Sequence, residues 1–354
     1  MSKIKCELLC NSNSGHLQLI YTGFRLLSAK RKIKLSYIII KEPISFLDYP
    51  APVHLFAKVN DSILICFDMT DFGEIRNDIL EYVDFYFKRS YSSKIAAIAK
   101  YPEKVYPLGL HYKVYEKFPS VFSLKRSFLE ESNSSKLKTF FRELIGPVNN
   151  IYPDFYRLHI DNCSAKPDHS LKPGIIFMAA LWDPALTKKK YWQQREEINK
   201  MRVECVRKLK KTFGNRFMGG LRHNEFTKKN FPDCLLEDPS SAVFGNYMRT
   251  LEKYPIGVAT TGLHNSIGWK FAEYVAFSHA IVSENMYYEA PGLKAGKHYL
   301  EFKSADECVE KAGILMENYH LRHEMMEANH FYYQNYLKPD VLVWRALSIS
   351  LENN

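Results

Sequence analysis

Eight consecutive apolar residues, Gly174-Ile-Ile-Phe-Met-Ala-Ala-Leu181, follow Pro173. A strand with one wet face alternates apolar and polar side chains. An unbroken run of this length fits a strand buried on both faces, as in a parallel sheet covered by helices on both sides. Parallel neighbours must be joined by crossovers, so the rest of the chain should alternate strand and helix. It does so twice. In the first half, Lys3–Cys10 reads as a strand, Asn11-Ser-Asn-Ser-Gly15 as a loop, and Leu17, Ile20, Phe24 and Leu27 as a helix. Leu35–Ile40 and Ile63–Phe67 read as further strands. Val83, Phe85 and Phe87 alternate with Asp84, Tyr86 and Lys88, which suits a half-exposed strand.

The pattern weakens between Ser132 and Pro173. Ser132–Ser135 is polar, and Pro147, Pro153, Pro167 and Pro173 punctuate the stretch. This places a domain boundary near residue 170. Alternation then resumes. Ile198, Met201, Cys205, Leu209 and Phe213 mark an amphipathic helix, and Arg216–Leu221, Ile256–Thr260 and Ala280–Ser283 mark strands. Ser304 and Glu307 have capping-box spacing and open a helix through Met316. Leu321–Leu351 is mostly helical, with a break at Pro339.

The fold expected is α/β: two facing Rossmann-like domains, residues 1–170 and 171–325, with a ligand cleft between them. Residues 326–354 form a helical segment expected to cross back to the first domain. The length of 354 residues suits two domains of ~100–200 residues, and 46% hydrophobic content gives each a core. The opening MSKIKCELLC is broken by Lys5 and Glu7, unlike a secretory leader, and no run approaches a membrane span. A cytoplasmic protein is expected. Seven scattered cysteines without CxxC spacing argue against a disulfide framework or a zinc site.

Net charge is +10, with clusters at Lys30-Arg31-Lys32-Lys34, Lys188-Lys189-Lys190 and Arg207-Lys208-Lys210-Lys211. These are solvated helix faces, or they attract phosphates of a nucleotide or of an anionic bilayer. No nucleic-acid motif accompanies the charge, so nucleic acid is not an expected partner.

The segment Ile256–Glu284 carries the chemistry. Its order is strand, polar turn (Thr260-Thr-Gly-Leu-His-Asn-Ser266), helix, strand. A turn at the carboxyl end of a strand and just before a helix suits phosphate, because helix N-termini present unsatisfied N–H groups and a positive dipole end. Gly262 and Gly268 let backbone approach a ligand. Lys270 and Glu273, three apart, share a helix face. Lys270 could meet a phosphate, and Glu273 could accept two ribose hydroxyls. The plainer reading is a strand–turn–helix bearing a surface Lys–Glu pair.

This stretch resembles the nucleotide-sugar signature of GT-B glycosyltransferases of the broad class called glycosyl transferases group 1. Gly268 sits at the signature's glycine, Glu273 at its second Glu, and Ala280-Ile-Val-Ser283 at its strand. Gly174–Pro184 resembles the first strand and phosphate-side loop of that domain, and Gly296–Phe302 its glycine-led strand before a closing helix. The resemblance covers about residues 172–340. It implies a sugar transferase using a nucleotide-diphosphate sugar, with no cofactor and no metal. By the same comparison Glu273 holds the ribose, and Thr261, Gly262, His264, Ser266 and Gly268 face the donor.

Two positions depart from the signature. Asn265 stands at its first Glu, the position that contacts the transferred sugar, and Ala180 stands where an Arg often holds the diphosphate. Lys270 or Lys188–Lys190 could substitute. Retention is the family-weighted outcome. The acceptor, a glycan or lipid-linked saccharide of surface-polysaccharide synthesis, would meet the N-terminal domain. There His16, after the Gly15 loop, is a candidate base or sugar-binding donor, or a structural histidine of a capped turn, and Lys88-Arg89-Ser90 is either cleft-facing or a solvated strand end. Asp68-Met-Thr-Asp71 reads as a turn or cap rather than a metal pair. Catalytic candidates are therefore His16, Asn265 and Lys270. Competing readings are a sugar-nucleotide epimerase of the same fold and a non-catalytic glycan- or membrane-binding protein.

Overall fold

The computed structural model describes residues 3–10, 12, 14–40, 53–115 and 159–353. The polar stretch Ser132–Ser135 and the prolines Pro147 and Pro153 lie outside the described residues. The chain divides into two units, each with its own sheet. Unit 1 comprises Met1–Asn162, Glu289–Pro291 and Asn335–Asn354, and unit 2 comprises Cys163–Tyr288 and Gly292–Gln334. The α/β class expected from the alternation is the class observed.

Unit 1 holds β1 (Ile4–Cys10), β2 (Ile33–Ile39), β3 (His54–Val59), β4 (Ile63–Asp68), β5 (Phe85–Lys88) and β6 (Val105–Pro107), in the order β2-β1-β3-β4-β5-β6. The sheet is mixed, not purely parallel. β3, for which the alternation gave no place, runs antiparallel to both β1 and β4. Asn60 and Asp61 both adopt left-handed φ, 48° and 63°, and close a tight β3–β4 turn too short to carry a crossover helix.

Helix α1 (Gln18–Ala29) follows β1, and the short helices α2 (Asn77–Leu80) and α3 (Ser93–Ala96) flank β5. β5 is buried at all four positions, which corrects the half-exposed reading. Its Lys88 is 0% exposed because its Nζ lies 2.7 Å from Asp68 Oδ2 and 2.6 Å from Thr70 Oγ1.

Unit 2 contains β7 (Ile175–Ala179), β8 (Phe217–Leu221), β9 (Ile256–Ala259), β10 (Ala280–Glu284) and β11 (Leu300–Phe302). They form a parallel sheet in the order β11-β10-β9-β7-β8. Its helices are α4 (Trp192–Phe213), α5 (Glu225–Asn230), α6 (Phe244–Leu251), α7 (Trp269–Ala276), α8 (Ala305–Glu317) and α9 (Tyr319–Tyr332).

The apolar run at 174–181 is buried on both faces, as its composition requires. Ile175, Phe177 and Ala179 join Val258 and Val282 in one core with Val206 and Leu209 of α4 and Cys308 and Leu315 of α8. On the other face Ile176 and Met178 are equally buried, and Tyr274 of α7 reaches the Ile176 carbonyl at 3.4 Å. Ser304 caps α8, its Oγ accepting from Glu307 N at 3.2 Å, while Glu307 Oε2 accepts from Lys303 N at 2.9 Å.

After α9 a π-helical turn, Tyr333–Leu337, leads to Pro339 at the start of α10 (Pro339–Glu352). Helix α10 belongs to unit 1 and packs on α1. At the crossing, a Cβ on Gly23 would lie 2.3 Å from the Pro339 carbonyl oxygen, so glycine alone lets the backbones approach. All seven cysteines are buried, none in a disulfide, and burial pushes the Cys6 thiol up to about 12. Among the described residues no helix is long and apolar enough to cross a membrane.

Candidate functional site

The strand order of unit 2 locates its ligand crevice. The chain leaves β7 for β8 on one side, then returns to place β9 on the other side of β7. Such a reversal leaves a crevice outside the carboxyl ends of the two strands, where open α/β sheets bind ligands. The loops concerned are the one after β7, beginning at Ala180, and the one after β9, Thr260–Gly268.

One buried side chain ties these loops together. Arg202 of α4 donates from Nε to Thr260 Oγ1 (3.0 Å), from Nη1 to Ala180 O (2.6 Å) and from Nη2 to Thr261 O (2.9 Å). The Trp182 ring covers its guanidinium at 4.3 Å. Burial pulls Arg202 down to about 10, with Glu284 acting in the opposite sense, so it stays cationic at neutral pH. Glu284, the last residue of β10, accepts from Thr261 N (2.8 Å) and Thr261 Oγ1 (3.0 Å).

The rest of the loop is a tight, braced turn. Gly262 N donates to Ser266 O at 2.8 Å, and a Cβ at 262 would sit 2.5 Å from Ser266 Oγ. His264 and Asn265 both take left-handed φ, 60° and 59°, a conformation that costs non-glycine residues of order 1 kcal/mol or more each. Side chains around the turn hold it there. His264 N donates to Gln194 Oε1 (3.0 Å), Tyr288 OH donates to His264 O (2.9 Å), and the His264 ring meets Tyr191 edge-on. Helix α7 then starts at Trp269 behind Gly268, and no side chain caps it.

Four of the residues expected to face the donor, Thr261, Asn265, Ser266 and Gly268, line one hollow. Thr260, Phe271, Ser283 and Glu284 line it with them. Gly262 and His264 shape the turn beside it. Lys270 and Glu273 lie further along α7 and outside that lining. They pair with each other, Nζ to Oε2 at 3.4 Å, and Lys270 stands 3.2 Å over the Tyr247 ring. Glu273 is buried and Lys270 half-buried. The hollow therefore combines hydroxyls, backbone, a helix start and one carboxylate, Glu284, that already serves the loop. Hydroxyls, backbone amides and a helix start are groups that can donate hydrogen bonds to an anion.

His16 lies in unit 1, in the 3-10 turn Gly15–Leu17 after β1. Its ring stacks on that of His111, centroids 5.9 Å apart. Burial lowers His16 and Arg89 lowers it further, while Asp71 opposes them, so the ring is neutral at neutral pH. His111 is driven well down by burial, then by Arg89 and His16. Lys88-Arg89-Ser90 is not a solvated strand end. All three are buried, and Arg89 pairs with Asp71.

Asp68 and Asp71 are thus committed to Lys88 and Arg89. Asp68 Oδ1 also accepts from Thr70 N at 2.8 Å, the turn geometry expected of it. Among the described residues no group of three or more His, Cys, Asp or Glu could hold a metal ion.

Sequence reasoning passed over Arg202 and Glu284. The signal for Arg202 was present: it stands four residues after Ile198, on the helix stripe that faces the core, where an arginine must find buried acceptors.

No family model and no curated protein matches the chain. Among solved structures it is similar to the C-terminal domain of a glycosyl transferase group 1 family protein from Francisella tularensis. That match has 13% identity and a TM-score of 0.36, over 51% of this chain and 97% of that one. It is also similar to a glycosyltransferase from Rickettsia africae, with 11% identity and a TM-score of 0.43, over 94% and 81%. A third is the pneumococcal O-GlcNAc transferase in complex with UDP and GlcNAc, with 10% identity and a TM-score of 0.40. This chain is covered to 93% and spans 54% of that enzyme's length.

Proposed function

We propose that the protein is a glycosyltransferase that binds a nucleotide-diphosphate sugar in the hollow between the Thr260–Gly268 loop and the start of α7. One observation carries the reading: Arg202 fixes both loops of the unit 2 switch point at once, through three hydrogen bonds. The signature resemblance over Gly268, Glu273 and Ala280–Ser283 supports it. In this reading the diphosphate lies against Thr261, Ser266 and the α7 amides. The helix dipole and Lys270 stabilise the charge that develops as the sugar–phosphate bond breaks. Asn265 meets the transferred sugar as a neutral hydrogen-bonding group, where the signature has a carboxylate. Glu273 recruits the ribose by exchanging its contact with Lys270.

Acceptor recognition is assigned to unit 1. The acceptor class is a glycan or a lipid-linked saccharide of a surface polysaccharide. The reaction proceeds with retention and without a divalent metal, in the cytoplasm or at the inner face of a membrane.

A thermal-shift screen across nucleoside diphosphates tests the proposal. A ligand at about 100 times its Kd stabilises the fold by about 2.7 kcal/mol. One nucleotide family should raise the transition, and its sugar conjugate should be hydrolysed slowly without acceptor. A screen in which no nucleotide moves the transition contradicts the proposal.

A further inference from the structure

The loop between β7 and α4 displays a feature that donor binding leaves unused. Leu186 is 80% exposed at the end of a 3-10 turn, and Trp192 is 39% exposed six residues later. Between them Lys188, Lys189 and Lys190 are all exposed. The arrangement is built rather than slack. Asp183 Oδ1 accepts from Ala185 N (2.9 Å), Arg195 Nη1 donates to Asp183 O (2.7 Å), and Trp192 Nε1 donates to Thr187 O (3.0 Å), closing the loop on itself.

Among the described residues none of the three lysines pairs with a carboxylate. Lys190 lies over the Tyr191 ring at 4.8 Å. The nearest carboxylates on the helix that follows, Glu196 and Glu197, are exposed, and Glu197 accepts from Gln193 Nε2 at 2.9 Å.

We infer that this loop is a docking surface for an anionic lipid bilayer. An exposed leucine and an indole flanking a basic run match what a membrane interface offers: a hydrocarbon boundary for Leu186, the headgroup layer for Trp192, and anionic phosphates for the lysines. A site for the phosphates of a soluble nucleotide would use the lysines and leave Leu186 in water without purpose. The lipid reading uses all five residues. It also connects to the hollow, since Tyr191 and Gln194, just past the lysines, brace His264. The inference does not depend on sugar transfer, and vesicle binding is scored without any donor.

The test is co-sedimentation of the full chain with vesicles of phosphatidylcholine, alone or mixed with phosphatidylglycerol. The protein should pellet with the mixed vesicles and stay in solution with phosphatidylcholine alone. Each lysine contributes about a fivefold factor near such a surface, so changing Lys188, Lys189 and Lys190 together to Gln should weaken binding by roughly a hundredfold. Leu186→Asp should weaken it by at least about tenfold. Both changes lie at exposed positions, and circular dichroism verifies the fold. Binding that ignores lipid charge, or that survives both changes, overturns the inference. So does release of the protein from vesicles by added nucleoside diphosphate, which would reassign the lysines to the nucleotide.

Discussion

Replacing Arg202 with methionine separates what the switch-point clamp does for stability from what it does for binding. Methionine fills much of the volume but donates nothing. Three hydrogen bonds from a charged group are lost, at about 1.5–3 kcal/mol each, or roughly 4.5–9 kcal/mol together. Against this stands the cost of burying the guanidinium. Its downward displacement from 12.5 to about 10 corresponds to about 3.4 kcal/mol at about 1.36 kcal/mol per pH unit. The balance is a net loss of about 3 kcal/mol, within a range of about 1–6 kcal/mol.

Urea unfolding measures that loss. Nucleotide affinity should fall as well, because the Thr260–Thr261 backbone loses the brace that holds it toward the hollow. An Arg202→Met protein as stable as the parent would refute the clamp. A destabilised variant that binds nucleotide with unchanged affinity would refute the placement of the donor.

Gly23→Ala should destabilise the protein by about 1–3 kcal/mol through overpacking against Pro339, despite alanine's helix-propensity gain of about 1 kcal/mol; an increase in the denaturation midpoint contradicts the tight α1–α10 crossing. Glu273→Gln should leave the protein folded and weaken nucleotide binding, and calorimetry showing equal affinity removes Glu273 from the ribose. Acid should act in two stages. Burial lowers His279 to about 4, partly opposed by its bond to Leu251 O. Its unfolded form therefore takes up the proton first, and up to about 3 kcal/mol is lost as pH falls from about 6.5 towards 4. His16 and His111, also lowered by burial, add to the same slope. Burial alone would raise Asp68, but Lys88 and then His54 more than offset it and hold the carboxyl well below its usual range. Its contribution is complete above about pH 4 and is lost below that. A pH-independent stability between about pH 7 and 4 contradicts the histidine assignments, and one that stays flat below about pH 4 contradicts that of Asp68.

The contrast between the two units shows which information is local. The unit 2 strands were legible because a strand buried on both faces writes its environment into consecutive residues, as at Ile175–Ala179. The turn after β9 was legible because glycines and short polar residues mark it whatever packs nearby. β3 also had a local signal, the Asn60-Asp61 turn between two apolar runs, but the expectation of strand–helix alternation left no room for an antiparallel strand.

Lys88 was a different kind of miss. Its charge suggested exposure, and its partner lies twenty residues earlier. Only the parallel register of β4 and β5, which sets Asp68 opposite Lys88, makes the pair visible. Glu284 likewise depends on register, since β10 beside β9 carries it to the Thr261 amide. Lys270 and Glu273 were correctly seen to share a helix face, yet spacing could not say that they would hold each other outside the lining of the hollow.

Hydrogen–deuterium exchange in the presence of the nucleoside diphosphate that stabilises the protein locates the donor on the chain. Protection should rise in peptides covering Thr260–Phe271 and in those containing Arg202 and Glu284. Protection that appears elsewhere while these peptides exchange as in the free protein would contradict this placement of the donor.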